Sequence, residues 1–150
     1  MLSLLPAHHQ DYEFIFSVEP TYACEYSEWF AWMQQPHWAN YIVTKDAEPV
    51  GCLLLERVAP SVCEFHYSTL RRRVTPSESA RLLIETGKAL FAGGIELLQT
   101  VIASWNRAAI RLAVACGFKF DTYVIRDKQP MMRHILPRAI YEAQPEKWGG

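Results

Sequence analysis

The chain has 150 residues, a formal net charge of -1, and a composition that is 50% hydrophobic and 21% charged. That length fits one domain with its own core. The near-zero charge excludes a whole-surface field that would draw the chain to nucleic acid or an anionic membrane, and no stretch reaches the roughly 20 apolar residues of a membrane span.

Residues 1–5 form a short apolar run ended by Pro6, which reads as a first strand. Residues 8–18 fit an amphipathic helix with Tyr12, Ile15 and Phe16 on one face, broken at Glu19-Pro20. A second helix is expected over 23–34, where Tyr26, Trp29, Phe30 and Met33 make an apolar stripe. Strands follow at 41–44 and 50–56, joined by the polar turn 45–49, and a third at 62–69. Its alternation sets Cys63, Phe65 and Tyr67 on one face and Val62, Glu64, His66 and Ser68 on the other.

Thr75-Pro76-Ser77-Glu78 is a capping box: a Thr cap, proline at the first helical position, and Glu three residues after the cap. The helix it opens buries Leu83, Ile84, Leu90 and Phe91 and ends at Gly93-Gly94. Residues 97–102 are an apolar strand of the kind that has a parallel neighbour. Asn106 then caps a helix carrying Ala109, Ile110, Leu112, Ala113 and Cys116 at helical spacing, and Gly117 supplies a left-handed stop. Phe118 and Phe120 alternate with Lys119 and Asp121 as in a half-buried strand. Strands at 118–125 and 131–136 enclose a turn at 127–130. Residues 1–136 read as one domain and 137–150 as a C-terminal tail. Ile140, Tyr141 and Trp148 make that tail a candidate interaction arm.

The four cysteines, Cys24, Cys52, Cys63 and Cys116, show neither CxxC spacing nor a histidine pair to complete a zinc site. Buried free thiols in a reducing compartment are expected, with no metal. The start lacks a basic segment followed by an apolar run, so the expected location is cytoplasmic.

The order Asn106, a small residue after a short interval, then Gly117-Phe118 resembles motif B of the GNAT superfamily of N-acetyltransferases. The element order β-α-α-β-β-β-α-β-α-β-β is similar to that fold: α/β, with a mixed, mostly antiparallel sheet flanked by helices. The resemblance implies acetyl-CoA as cofactor and an amine-bearing small molecule or peptide as acceptor. It also implies a base on the strand bordering the active cleft, where Glu64 and His66 are the candidates. Only a free amine attacks, so the ammonium must first lose a proton.

Family enzymes bind the pyrophosphate on a glycine-rich loop before the third helix, where backbone N–H groups and the helix end face the phosphates. The corresponding segment here, LRRRVTPSESA, has no glycine. Arg71, Arg72 and Arg73 are the candidate replacements, since guanidinium forks suit phosphate; the alternative is a solvated or partner-docking patch. Asn106 is the candidate contact to the pantetheine arm, beside its role as a cap. The family's acid, a tyrosine seven residues after that asparagine, is replaced by Ala113, leaving Tyr123 or Cys116 as substitutes.

Two readings follow. One is an N-acyltransferase using acetyl-CoA. The other is a non-catalytic GNAT-fold structural or assembly protein, similar to the degraded GNAT-like virion and head-assembly proteins of tailed phages, acting through protein partners or self-association and located in a virion. Three arginines without a basic face or stacking aromatics are too little for a nucleic-acid partner.

Overall fold

The computed structural model describes residues 1–18, 24–70 and 72–143. The strands are β1 (Leu2–Pro6), β2 (Trp38–Lys45), β3 (Glu48–Ala59), β4 (Val62–Thr69), β5 (Leu97–Ala103), β6 (Lys119–Arg126) and β7 (Gln129–Pro137). The helices are α1 (Tyr12–Val18), preceded by a 3-10 turn at His9–Asp11, α2 (Tyr26–Met33), α3 (Pro76–Ala92), α4 (Arg107–Ala115) and α5 (Arg138–Ala143). The expected order is present, with one helix more. α5 occupies part of the stretch read as a tail, held by an Arg138–Glu142 pair one turn apart and by Tyr141 stacked on Phe91 at 4.7 Å. Trp148 and the rest of the expected arm lie outside the described residues.

The seven strands form one sheet in the order β1-β2-β3-β4-β5-β7-β6. β4 and β5 pair in parallel, Val62–Cys63–Glu64 against Leu97–Leu98–Gln99, on either side of the α3 connection. The pairs β1·β2, β2·β3, β5·β7 and β6·β7 are antiparallel. Two of their turns are two residues long with both residues left-handed, Asp46-Ala47 (φ 52°, 65°) and Asp127-Lys128 (φ 49°, 63°). These are the hairpin turns whose twist matches the strands. No helix among the described residues is long and apolar enough to cross a membrane.

The chain divides into two compact units. The first comprises Met1–Glu56 and His66–Glu78. Its core is aromatic: Tyr12, Ile15, Trp29 and Met33 of α1 and α2 pack on Ile42, Cys52 and Leu54 of the sheet. Gly51 is required there by close approach, because a Cβ would lie 2.4 Å from the Ser68 carbonyl oxygen.

The second unit comprises Arg57–Phe65 and Ser79–Gly150. Leu83, Gly87 and Phe91 of α3 line a small cavity together with Leu98, Cys116, Phe118 and Leu136. The stop of α4 is a Schellman motif. Gly117 is left-handed (φ 92°), its N–H donates to the Val114 carbonyl, and the Phe118 N–H reaches back to Ala113 at 3.0 Å.

Two expectations change. Phe118 is buried, but Phe120 is exposed along with nearly all of β6, because β6 is the outermost strand of the sheet. Cys52, Cys63 and Cys116 are buried and outside any disulfide among the described residues, whereas Cys24 is exposed.

Candidate functional site

The first piece of the candidate site is the turn that opens α3. The Thr75 N–H donates to Glu78 Oε1 at 3.0 Å, and the Glu78 N–H donates to Thr75 Oγ1 at 3.2 Å, completing the capping box. Lys45 Nζ donates to the same Glu78 oxygen at 3.0 Å and to the Arg73 carbonyl at 3.2 Å. The backbone N–H of Thr75, with Lys45 beside it, holds the Glu78 carboxyl down at about 2. A built-in carboxylate thus lies at the helix end where a bound phosphate would be stabilised.

The arginines beside this turn are placed unevenly. Arg71 lies outside the described residues. Arg72 is exposed on left-handed backbone (φ 68°). Arg73 pairs with Glu48 at 2.7 Å. Its guanidinium is thus already shared with a carboxylate.

In the second unit, Glu64 is fully buried on β4. Arg126 of β6 grips it with both ends of its fork, Nη1 to Oε2 at 2.7 Å and Nη2 to Oε1 at 2.9 Å. Gln99 of β5 donates to Oε1 at 2.7 Å. Register explains the meeting with Gln99, which is the parallel partner of Glu64 across the β4·β5 ladder. A buried carboxylate needs such partners. The same partners occupy three of the roughly four lone-pair sites on which a general base would draw.

His66 lies two positions further along β4. Its Nε2 is hydrogen-bonded to Glu56 Oε1 at 3.1 Å, and its ring lies 5.2 Å from that of Trp38. His37 Nε2 approaches the other oxygen, Oε2, at 3.4 Å. Sequence reasoning passed over Glu56, His37 and Trp38. The signal available for Glu56 was the antiparallel register that sets Trp38 opposite it, and that register becomes visible only once β2 and β3 are paired.

The remaining residues fall on the second unit. Asn106 Oδ1 accepts from the Ala109 N–H at 3.2 Å, as an N-cap does. Ala113 is buried in α4, one face of the helix being turned to the core. Tyr123 is 63% exposed on β6, with its ring against Phe120 at 5.0 Å. Burial pushes the Cys116 thiol up to about 12, so it stays protonated across the working range of most enzymes.

The mixed sheet, the parallel β4·β5 pair spanned by α3, and the capped α4 define the fold of the GNAT acetyltransferases, and this chain has that fold. Among solved structures, it is similar to the aminoglycoside acetyltransferase AAC(6')-Ib in complex with coenzyme A, at a TM-score of 0.80 and 15% identity, covering 97% of this chain and 99% of that one. It is also similar to the spermidine N-acetyltransferase of Vibrio cholerae in complex with CoA and spermine, at a TM-score of 0.78 and 14% identity, covering 94% and 98%. A further structure of AAC(6')-Ib, with coenzyme A and kanamycin, aligns at a TM-score of 0.79 and 16% identity. No family model matches the sequence, and no curated protein matches it.

Proposed function

We propose that this is a non-catalytic GNAT-fold protein that works by association, as a structural or assembly part of the kind its motif-B region resembles in tailed-phage virions. The observation that carries this reading is the Glu78 carboxylate fixed at the start of α3 by the Thr75 N–H and Lys45. It supplies from within the chain the negative charge that the helix end favours. A pyrophosphate brought there would meet a carboxylate of its own sign. Ala113 at the acid position and the engagement of Glu64 by Arg126 and Gln99 argue in the same direction.

The test is titration of the full chain with acetyl-CoA by calorimetry, with a thermal-shift check. A ligand at 100 times its dissociation constant stabilises a native state by about 2.7 kcal/mol, which moves the melting point by several degrees at this size. The expected result is no heat and no shift at millimolar acetyl-CoA. Saturable micromolar binding would overturn the proposal.

A second reading, N-acetyl transfer from acetyl-CoA to an amine, is favoured by the His66–Glu56 pair, because an imidazole oriented by a carboxylate is a competent proton acceptor. The similar structures with CoA, spermine and kanamycin support the same chemistry for the fold. In that case Arg72, Arg73 and Asn106 hold the cofactor, and Glu64→Gln lowers turnover with CoA affinity kept. An unchanged rate removes Glu64 from that mechanism.

A further inference from the structure

We propose that the first unit carries a binding site for a quaternary ammonium group, walled by Trp32, His37 and Trp38 around the carboxylate of Glu56. The site is independent of whether acetyl transfer occurs, because a quaternary nitrogen has no N–H to lose and cannot be acetylated.

The charge pattern is the first argument. Among the described residues, Glu64 is paired with Arg126, Glu78 with Lys45, Glu48 with Arg73, and Asp121 with Arg133. Among the described residues, Glu56 has no lysine or arginine within ion-pair distance. Its partners are the two imidazoles, His66 at 3.1 Å and His37 at 3.4 Å. Its side chain is 19% exposed, sheltered enough to strengthen a charge interaction yet open to a ligand.

The ring geometry is the second argument. Trp32 and His37 meet at 5.3 Å with their planes 72° apart, and Trp32 and Trp38 at 6.5 Å and 74°. His37 and Trp38 lie at 5.5 Å and 45°. An edge-to-face contact covers at most one face of one ring, and Trp32 is 47% exposed. The negative face of an indole attracts a cation placed within about 6 Å of its centre.

The third argument selects the kind of cation. Each Glu56 oxygen already faces an imidazole Nε2, which takes one of its two lone-pair directions and crowds the approach of an N–H donor. A cation recognised by charge and ring faces alone loses nothing there, and that describes a trimethylammonium group. The buried Trp38 Nε1 has no acceptor among the described residues, so an oxygen carried close to the ammonium would satisfy it.

The test is a fluorescence titration of the full chain, without CoA, using choline, its neutral isostere 3,3-dimethyl-1-butanol, and n-butylammonium. Choline is expected to bind at least tenfold more tightly than either of the others. Glu56→Gln keeps the side-chain volume and Trp32→Ala changes an exposed residue; each is expected to weaken choline about tenfold, with the melting curve kept near wild type. A peptide carrying trimethyllysine, run beside free choline, distinguishes the sources of the group: tighter peptide binding assigns it to a protein partner, equal binding to a small molecule. Equal affinity for the neutral isostere, tighter binding of n-butylammonium, or an unmoved Glu56→Gln titration in a folded variant overturns the proposal.

Discussion

Replacing Arg126 with leucine is expected to destabilise the protein by about 3 kcal/mol, and the loss should depend on pH. Glu64 is fully buried, and Arg126 supplies two of the hydrogen bonds to it. Removing one partner of a buried ion pair typically costs about 3–5 kcal/mol, because a charge is stranded in the interior. The lower end applies here, since the arginine side chain is 43% exposed and its own contribution is screened by water, and since Gln99 remains as a donor. At roughly 2–4 °C per kcal/mol for a chain of this size, the melting point should fall by about 6–12 °C.

The pH dependence follows from the same geometry. Without the guanidinium, burial raises the Glu64 carboxyl above its unfolded value, so the folded variant binds more protons than the unfolded chain. Stability then falls as pH rises through that window, and the deficit is largest at neutral pH and smaller near pH 4. Urea denaturation of wild type, Arg126→Leu, Glu64→Gln and the double variant at both pH values measures the loss and the coupling energy. An Arg126→Leu stability within about 1 kcal/mol of wild type at pH 7, or a deficit equal at the two pH values, would refute the assignment of Glu64 as a buried charge held by Arg126.

Gly51→Ala should cost roughly 3 kcal/mol, the upper part of the overpacking range, because its Cβ would meet backbone rather than a movable side chain; chemical denaturation measures it, and a loss below about 1 kcal/mol would mean the two strands separate easily there. Glu78 has its carboxyl held at about 2, so its stabilising contribution is present above about pH 4.5 and is lost as pH falls towards 2. Acid unfolding of Glu78→Gln should therefore show a shallower pH dependence over that window than wild type, and an identical curve would remove the Thr75–Lys45 cradle as the cause. Asn106→Ala should lower stability by about 1 kcal/mol through loss of the α4 cap, read as a melting shift of roughly 2–4 °C; an unchanged melting point would show that the cap bond at Ala109 carries no net energy.

Most of the element order was legible, because its signals are local. The capping box at Thr75, the asparagine cap at Asn106 and the glycine stop at Gly117 are each read from residues within one turn of helix, and the structure has all three. The exposure of Phe120 was not legible, since alternation tells which residues share a face but not whether anything covers it; being outermost in the sheet is a property of strand order. The site divided along the same line. Glu64 and His66 stand out in one strand, yet the partners that decide what they can do are far away in sequence: Arg126 is 62 positions from Glu64, and Glu56 is 10 from His66. The α5 helix escaped notice because its six residues are held mainly by an ion pair and one stacked ring.

The two-residue turn at Asp127-Lys128 has a reach beyond its own hairpin. Arg126 is the last residue before it and pairs with Gln129 across it. A strand alternates its faces residue by residue, so inserting or deleting one residue between Arg126 and the bulge at residues 120–122 would turn the guanidinium to the opposite side of the sheet. Glu64 would then lose its counter-charge, though no residue near it had changed. The pleat phase of an exposed strand thus sets the electrostatics of a fully buried carboxylate. Sequence drift in β6 between that bulge and Arg126 should be far more restricted in length than in residue type.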